Sequence, residues 1–304
     1  MMKSAMKLEK RKRFNRADWR TWTIFLPGML FVMLFTIYPI LKMFIMSFFD
    51  WKIGFQQTSL FIGLKNYVDV LSDPIAIRAI INTFVYALVT VPLQMIIGLA
   101  VALLINGIKK FGLFFRLGYY LPVITSWVVV ALLFRYIFAN TGLMNYFLID
   151  VLHLMEEPIS WLSSRWSALI SAMLLGVWKG IGWNMVIFLA ALQAVPLNLY
   201  EAADIDGASK TQKFFYVTLP SIKGTITFAL VMLAIGAFNT YTPIAILTGG
   251  NPMHQTEVVL TWMYFQTFDA LNMGYSAALS MIVTGIIMLV TVLLFGLTNR
   301  KKVA

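Results

Sequence analysis

No cysteine occurs among the 304 residues. Disulfides, thiolate metal sites and cysteine nucleophiles are therefore excluded. Charge is also scarce: 12% of the residues are Asp, Glu, Lys or Arg, against roughly 25% in a soluble domain. The two histidines, His153 and His254, fall in segments read as loops; each is expected to be a solvated loop residue rather than a ligand. No Asp or Glu falls inside a long apolar stretch. That argues against a proton- or sodium-coupled secondary transporter, which carries ionisable groups within its spans. With no histidine cluster, metal spacing or paired intramembrane carboxylates, a membrane enzyme has no support either. The phosphate-loop pattern G-x-x-x-x-G-K-[ST] is missing, so the chain is not expected to hydrolyse ATP alone. No internal repeat or low-complexity tract is evident.

What the sequence does have is length in apolar runs. Hydrophobic residues make up 60% of it, and about 20 of them in a row cross a hydrocarbon core. Six such runs lie near 23–44, 80–105, 117–138, 167–192, 222–247 and 273–297. Backbone polar groups in lipid need internal partners, so helices are expected throughout. The first run is longer than a signal-peptide core and reaches Tyr38-Pro39 with no small-residue cleavage pattern, so it reads as an uncleaved span. The fold class is thus an all-α membrane protein of six transmembrane helices. It comprises a basic tail (1–22), a transmembrane domain (23–298) and a short C-terminal tail (299–304).

Basic residues orient it. With the N-terminus inside, the inner segments hold seventeen Lys and Arg: eight between Lys3 and Arg20, then Lys109, Lys110, Arg116, Lys210, Lys213, Lys223 and Arg300-Lys301-Lys302. The outer segments hold five, namely Lys52, Lys65, Arg78, Arg135 and Arg165. This bias places both termini in the cytoplasm. The net charge of +11 reads as topogenic charge, with lipid rather than nucleic acid as the partner.

The inner loop 196–220 carries the most information. Asn198 is placed to cap a short helix, with Glu201 reaching back in a capping box. Gly207 can end that helix in the left-handed region. Ser209 and Gln212 repeat the capping pattern for a second helix, which Pro220 limits from behind. Ala202 and Ala203 would let a partner surface approach closely. By itself this is also what an ordinary amphipathic surface loop looks like.

The spacing is more specific. Glu201-Ala202-Ala203, three residues, Gly207, nine residues, Val217, one residue, then Leu219-Pro220 resembles the E-A-A loop of ABC-importer membrane subunits. The one departure is Val217, where that family usually has Ile. The chain further resembles the carbohydrate-uptake branch, the maltose- and oligosaccharide-type permeases, over nearly its whole length. The resemblance is carried by Gly63-Leu64-Lys65-Asn66-Tyr67, Asn82-Thr83, Phe115-Arg116 with Tyr120-Leu121-Pro122, Gly142-Leu143-Met144-Asn145, Trp178-Lys179, residues 189–196 and Leu247-Thr248-Gly249-Gly250. Here Asn251 intervenes before Pro252, where the family tends to Gly-Gly-Pro.

The resemblance implies a type I ABC-importer permease fold in a bacterial inner membrane. It further implies a second homologous permease subunit lining a shared pathway, two ATPase subunits and an extracellular solute-binding protein that delivers a sugar. Glu201, Ala202, Ala203, Asp206 and Gly207 would couple to an ATPase by helix-in-groove docking. The chain itself would bind no cofactor, and ATP and Mg would be used by the ATPase subunits. A close variant keeps the importer and changes the cargo to a glycerol-phosphate-like or other polar metabolite, for which Lys179 would suit an anion.

Polar groups within spans mark candidate substrate contacts, since a central Lys costs roughly 2.5–3.5 kcal/mol on insertion scales. Lys179 lies in the cluster Trp178, Lys179, Trp183 and Asn184 of the fourth span. Aromatic faces, an amide and an ammonium are groups that a sugar pocket uses; the alternative is an ammonium held by carbonyls of a neighbouring helix. Phe238, Asn239 and Tyr241, just ahead of Pro243 in the fifth span, suggest a locally opened helix beside a wet cavity. In the resembled family the sugar contacts come from these two helices.

Reporter fusions test the topology. One at Ala304 and one near Glu156 should report opposite sides of the membrane; the same side for both would break the six-span reading.

Overall fold

A computed structural model describes residues 22–51, 59–108 and 110–298. The basic tail up to residue 21, the tail 299–304, and Lys52 and Lys109 of the charge count lie outside the described residues.

The first apolar run forms α1 (Trp22–Met46), which includes one π-helical turn, Met33–Ile37. A two-residue antiparallel ladder follows. Phe49 of β1 (Phe49–Asp50) stands opposite Phe61 of β2 (Leu60–Phe61), and Asp50 opposite Leu60. Then come α2 (Lys65–Ser72) and α3 (Pro74–Asn106). Asp73 starts α3 from an extended conformation, its Oδ1 accepting the Ile75 N–H at 2.8 Å. Pro74 sits at the first helical position, where its missing N–H costs nothing. The other Asp73 oxygen accepts from Tyr275 Oη (2.5 Å) and Trp262 Nε1 (3.2 Å), tying this helix start to distant segments. α3 runs unbroken through Pro92.

The third apolar run departs from expectation. In place of one span over 117–138 there are two helices, α4 (Gly112–Ile124) and α5 (Trp127–Ile137), bent by 92° at their junction. The cause is local. Pro122 removes a helical donor near the end of α4, and Thr125 and Ser126 adopt extended backbone conformations. Among the described residues five helices are long and apolar enough to cross a membrane singly, and this bent pair makes a sixth only if counted as one span.

After a short helical turn (Leu143–Tyr146) and a π turn (Phe147–Val151) come α6 (Arg165–Gln193), N-capped by Ser164, and two short helices, α7 (Leu197–Ile205) and α8 (Lys210–Lys213). α8 continues through a π turn, Phe214–Thr218, into Leu219–Ser221. Pro220 does not stop this helical stretch as expected. It lies in the last turn, directly after the π turn, and the break falls just beyond it at Ile222. The fifth run is α9 (Lys223–Phe238), three open residues, then α10 (Thr242–Leu247) with Pro243 in its first turn. α11 (Val259–Tyr264), a π turn (Phe265–Asp269) and α12 (Met273–Thr298) complete the described residues.

α6 is central: 61% of its most apolar window is buried, against none of α1's. Its main partner is α3, with α4 and α9 also packed against it. Glycines set the spacing. A Cβ on Gly98 of α3 would lie 2.4 Å from the Asn184 Cβ. On α6, a Cβ at Gly176 would meet the Tyr86 hydroxyl at 2.2 Å, and one at Gly182 would meet the Tyr119 carbonyl of α4 at 2.1 Å. Apolar clusters fill the rest, among them Val101, Ile105, Met185 and Phe188 at the α3–α6 contact.

His254 lies in a loop, as expected, but is only partly solvated. It is a packed residue, with its ring 5.1 Å from Trp262 and 4.8 Å from Phe265 and Nδ1 2.9 Å from Oε1 of the buried Glu257. The loop holds it because Asn82 Nδ2 donates to the Gln255 and Glu257 carbonyls. His153 is exposed, as expected.

Candidate functional site

A cavity of about 310 Å³ opens between α3, the α4–α5 elbow, α6 and the broken end of α9. From α3 come Tyr86, Thr90 and Gln94, spaced by four residues and so on one helical face. The elbow supplies Val123 and Trp127, and α6 supplies Gly176, Lys179, Gly180 and Trp183. The fourth wall is Met232, Leu233, Gly236, Ala237 and Thr240. Two indoles thus share a cavity with hydroxyls and a carboxamide, which is apolar area plus a few placed polar groups.

The polar groups are held in place. Gln94 Nε2 donates to the Gly176 carbonyl at 3.2 Å. Its side chain lies flat on Gly180, where a Cβ would sit 2.2 Å from Oε1. Thr90 Oγ1 donates to the Tyr86 carbonyl at 2.8 Å, and Thr240 lines the cavity together with Tyr86. Thr240 belongs to the three residues between α9 and α10, so the expected opening of the fifth run near Pro243 is present and borders the cavity.

Of the candidate substrate contacts, Lys179 and Trp183 line this cavity. Lys179 is only 3% exposed. Its Nζ donates to the carbonyls of Pro122 (2.6 Å), Val123 (3.3 Å) and Thr125 (2.6 Å). The alternative reading, an ammonium held by a neighbouring helix, therefore describes its bonding. The others lie elsewhere. Trp178 is 44% exposed and packs on Phe134 at 5.5 Å. Asn184 is fully buried against Gly98, donating to the Gly180 carbonyl at 2.9 Å. Phe238 meets Phe84 edge to face at 5.0 Å, and Tyr241 packs on Tyr264 at 5.4 Å. Asn239 is exposed and donates to the Ile235 carbonyl at 2.8 Å.

The loop 196–220 forms a second constellation. Gly207 has φ +72. Ala208 N–H donates to the Ala203 carbonyl at 2.9 Å and Gly207 N–H to the Asp204 carbonyl at 3.1 Å. Together these bonds make a Schellman motif closing α7. Ser209 and Gln212 form the expected capping box. The box expected at Asn198 and Glu201 is absent. α7 begins at Leu197, so Asn198 already lies in the helical first turn and Pro196 occupies the cap position. Glu201 and Ala202 are exposed, as are Ile205 and Tyr216. Lys213 pairs with Asp204, and Tyr200 Oη lies 2.9 Å from Thr218 Oγ1. Between the two helices lies a groove of about 330 Å³ lined by Ala203, Asp206, Gly207 and Tyr216 among others.

Residues 71–302 match the family described as binding-protein-dependent transport system inner membrane component. The chain belongs to this family. It is 36% identical over 263 residues to the probable ABC transporter permease protein YurN of Bacillus subtilis (strain 168), covering 86% of this chain and 89% of that one. It is 32% identical over 294 residues to the arabinooligosaccharides transport system permease protein AraP of Halalkalibacterium halodurans, covering 95% and 90%. Its fold matches a chain of a bacterial alginate ABC transporter solved in complex with an alginate pentasaccharide-bound periplasmic protein. The TM-score is 0.81 at 22% identity, with 95% of this chain and 96% of that chain covered.

As a member of this inner-membrane family the chain is an ABC-importer permease subunit, a transport component rather than an enzyme. The cavity draws on residues that the sequence reading passed over: Tyr86, Thr90, Gln94 and Trp127. A signal for the first three was present, since polar residues recur at helical spacing within an otherwise apolar run.

Gly180 tests the cavity. In Gly180→Ala the new methyl must displace the Gln94 carboxamide. Overpacking of this kind costs about 1–3 kcal/mol. The expected result is normal membrane insertion with the half-saturating substrate concentration raised on the order of tenfold. Unchanged uptake kinetics would show that the space beside Gln94 is not used.

Proposed function

We propose that this chain is one half of the transmembrane pathway of an ATP-driven sugar importer in a bacterial cell membrane. It works with a second homologous permease subunit, takes substrate from an extracellular solute-binding protein, and is driven by two ATPase subunits. The observation that carries the sugar reading is the cavity. Trp127 and Trp183 offer flat apolar faces to ring C–H groups, while Tyr86, Thr90, Gln94 and Thr240 offer donors and acceptors to hydroxyls. At about 310 Å³ it falls at the small end of ligand pockets, which run from roughly 300 to 1,000 Å³. The relative named for arabinooligosaccharides supports a carbohydrate cargo, and the alginate transporter, with its pentasaccharide-bound periplasmic protein, supports delivery by a binding protein. An anionic glycerol-phosphate-like cargo gains little from Lys179, whose three N–H donors all go to backbone carbonyls.

Coupling runs through the loop 196–220 on the cytoplasmic side, which puts both termini there as well. The exposed Glu201-Ala202 face, the half-buried Ala203, and Asp206 and Gly207 at the end of α7 dock in a cleft of an ATPase subunit as a helix in a groove. Exposed Ile205 and Tyr216 add apolar contact area. ATP and Mg belong to those ATPase subunits, and this chain holds no cofactor of its own.

Gly207 gives the test. A β-branched residue cannot readily hold φ +72, and the left-handed region costs an ordinary L-residue about 1–2 kcal/mol or more. Gly207→Val, or Glu201→Lys in the docking face, should abolish uptake and weaken co-purification of the ATPase subunits while the chain remains inserted. Normal uptake with normal ATPase association in both variants would remove this loop from the coupling path.

A further inference from the structure

We infer that Lys179 is a positioning residue: it latches the elbow of the broken third span onto α6 and so sets one wall of the cavity. This rests on the reading of that cavity as the substrate site. A helix leaves its last four carbonyls without intrahelical partners, and in a membrane each such group is costly when unsatisfied. At the end of α4 the Leu121 carbonyl is covered locally, accepting from Thr125 Oγ1 at 2.9 Å. The carbonyls of Pro122, Val123 and Thr125 are covered from outside, all by the one Lys179 ammonium. An ammonium has three donors, and three carbonyls receive them. The positive charge also sits at the helix end that carries partial negative charge.

The grip continues past the break. Lys179 Nζ lies 4.9 Å from the centroid of the Trp127 ring, on the first residue of α5, within the range of a cation–π contact. One side chain of α6 therefore holds the end of α4, the linker and the start of α5, across a bend of 92°. The two elbow residues lining the cavity are Val123, whose own carbonyl Lys179 holds, and Trp127, whose ring faces the ammonium. One turn earlier, the Tyr119 carbonyl presses on Gly182 and seats α4 on the same helix. The ammonium thus acts on substrate through the elbow, because its own hydrogens are already engaged.

The absence of cysteine from the chain makes a direct test available that needs no knowledge of the cargo. A single Thr240→Cys reports on the cavity. The rate of its alkylation by N-ethylmaleimide is measured in the intact complex in membranes, with Lys179, Lys179→Arg or Lys179→Met in the same chain. The latch predicts an alkylation rate raised about fivefold or more in Lys179→Met, as the elbow opens. Lys179→Arg keeps the charge but puts a planar fork in place of the compact ammonium, so its rate should fall between the parent and Lys179→Met. An unchanged rate in Lys179→Met at normal complex yield would overturn the latch. So would loss of uptake in Lys179→Met with alkylation unchanged, because Lys179 would then act on substrate directly. If Lys179→Met does not accumulate, Trp127→Leu takes its place. It removes the ring over the ammonium, should also speed alkylation, and overturns the latch if it does not. The cavity reading fails separately, on Gly180→Ala leaving uptake kinetics unchanged, whatever the alkylation rates show.

Discussion

The close approach of α3 to α6 rests on glycine, and the site depends on it. At Gly98, Gly176 and Gly180 a single added carbon would collide with a side chain of the facing helix at 2.4 Å or less. A Cβ at Gly98 would push the two backbones apart, while one at Gly176 or Gly180 would displace the Tyr86 or Gln94 side chain that lines the site. Lipid gives little hydrophobic drive for one apolar helix to join another, so small residues that let backbones approach supply the association. The same helix, α6, then carries Lys179 and Trp183 to the cavity and Gly182 to α4. Position along α6 thus decides which neighbour is met.

Two breaks in the helices border the cavity, the elbow near Thr125 and the opening at residues 239–241. Interrupted backbone at membrane depth is tolerated only where protein or water covers it. Here the coverage is visible. Lys179 takes the carbonyls at the first break, and Pro243 restarts the second helix at a position where a missing N–H costs nothing. Both breaks deliver side chains, Trp127 and Thr240, that an unbroken helix would turn in other directions.

The apolar runs, the paired short helices of the loop and the left-handed Gly207 were all legible in the amino-acid order, because each follows from a local rule of length, capping or backbone freedom. The 92° bend was not. Pro122 and Pro92 both lie in apolar runs, yet only the first accompanies a break, and what differs is tertiary: Lys179 is there to receive the freed carbonyls. Asn198 failed as a cap because α7 begins one residue before it. His254 is only partly solvated because Trp262 and Phe265 flank it, which only the path of the loop reveals. Within the site, Lys179 and Trp183 stood out as polar or aromatic groups four residues apart on one helix. Tyr86, Thr90 and Gln94 carried only a spacing signal, and their common face gains meaning once α6 is known to lie against it.

The most direct test of the account is protection of the cavity by substrate. Cysteine replaces Thr90 in the otherwise cysteine-free chain, and its alkylation by a small hydrophilic maleimide is followed in the assembled importer. The probes are a panel of neutral mono- and oligosaccharides, each presented with the importer's own binding protein. The account predicts that the saccharide taken up by the cells slows alkylation at this position and that saccharides not taken up do not. Equal rates with and without the transported saccharide, in a complex that still transports it, would contradict the placement of the substrate between α3 and α6.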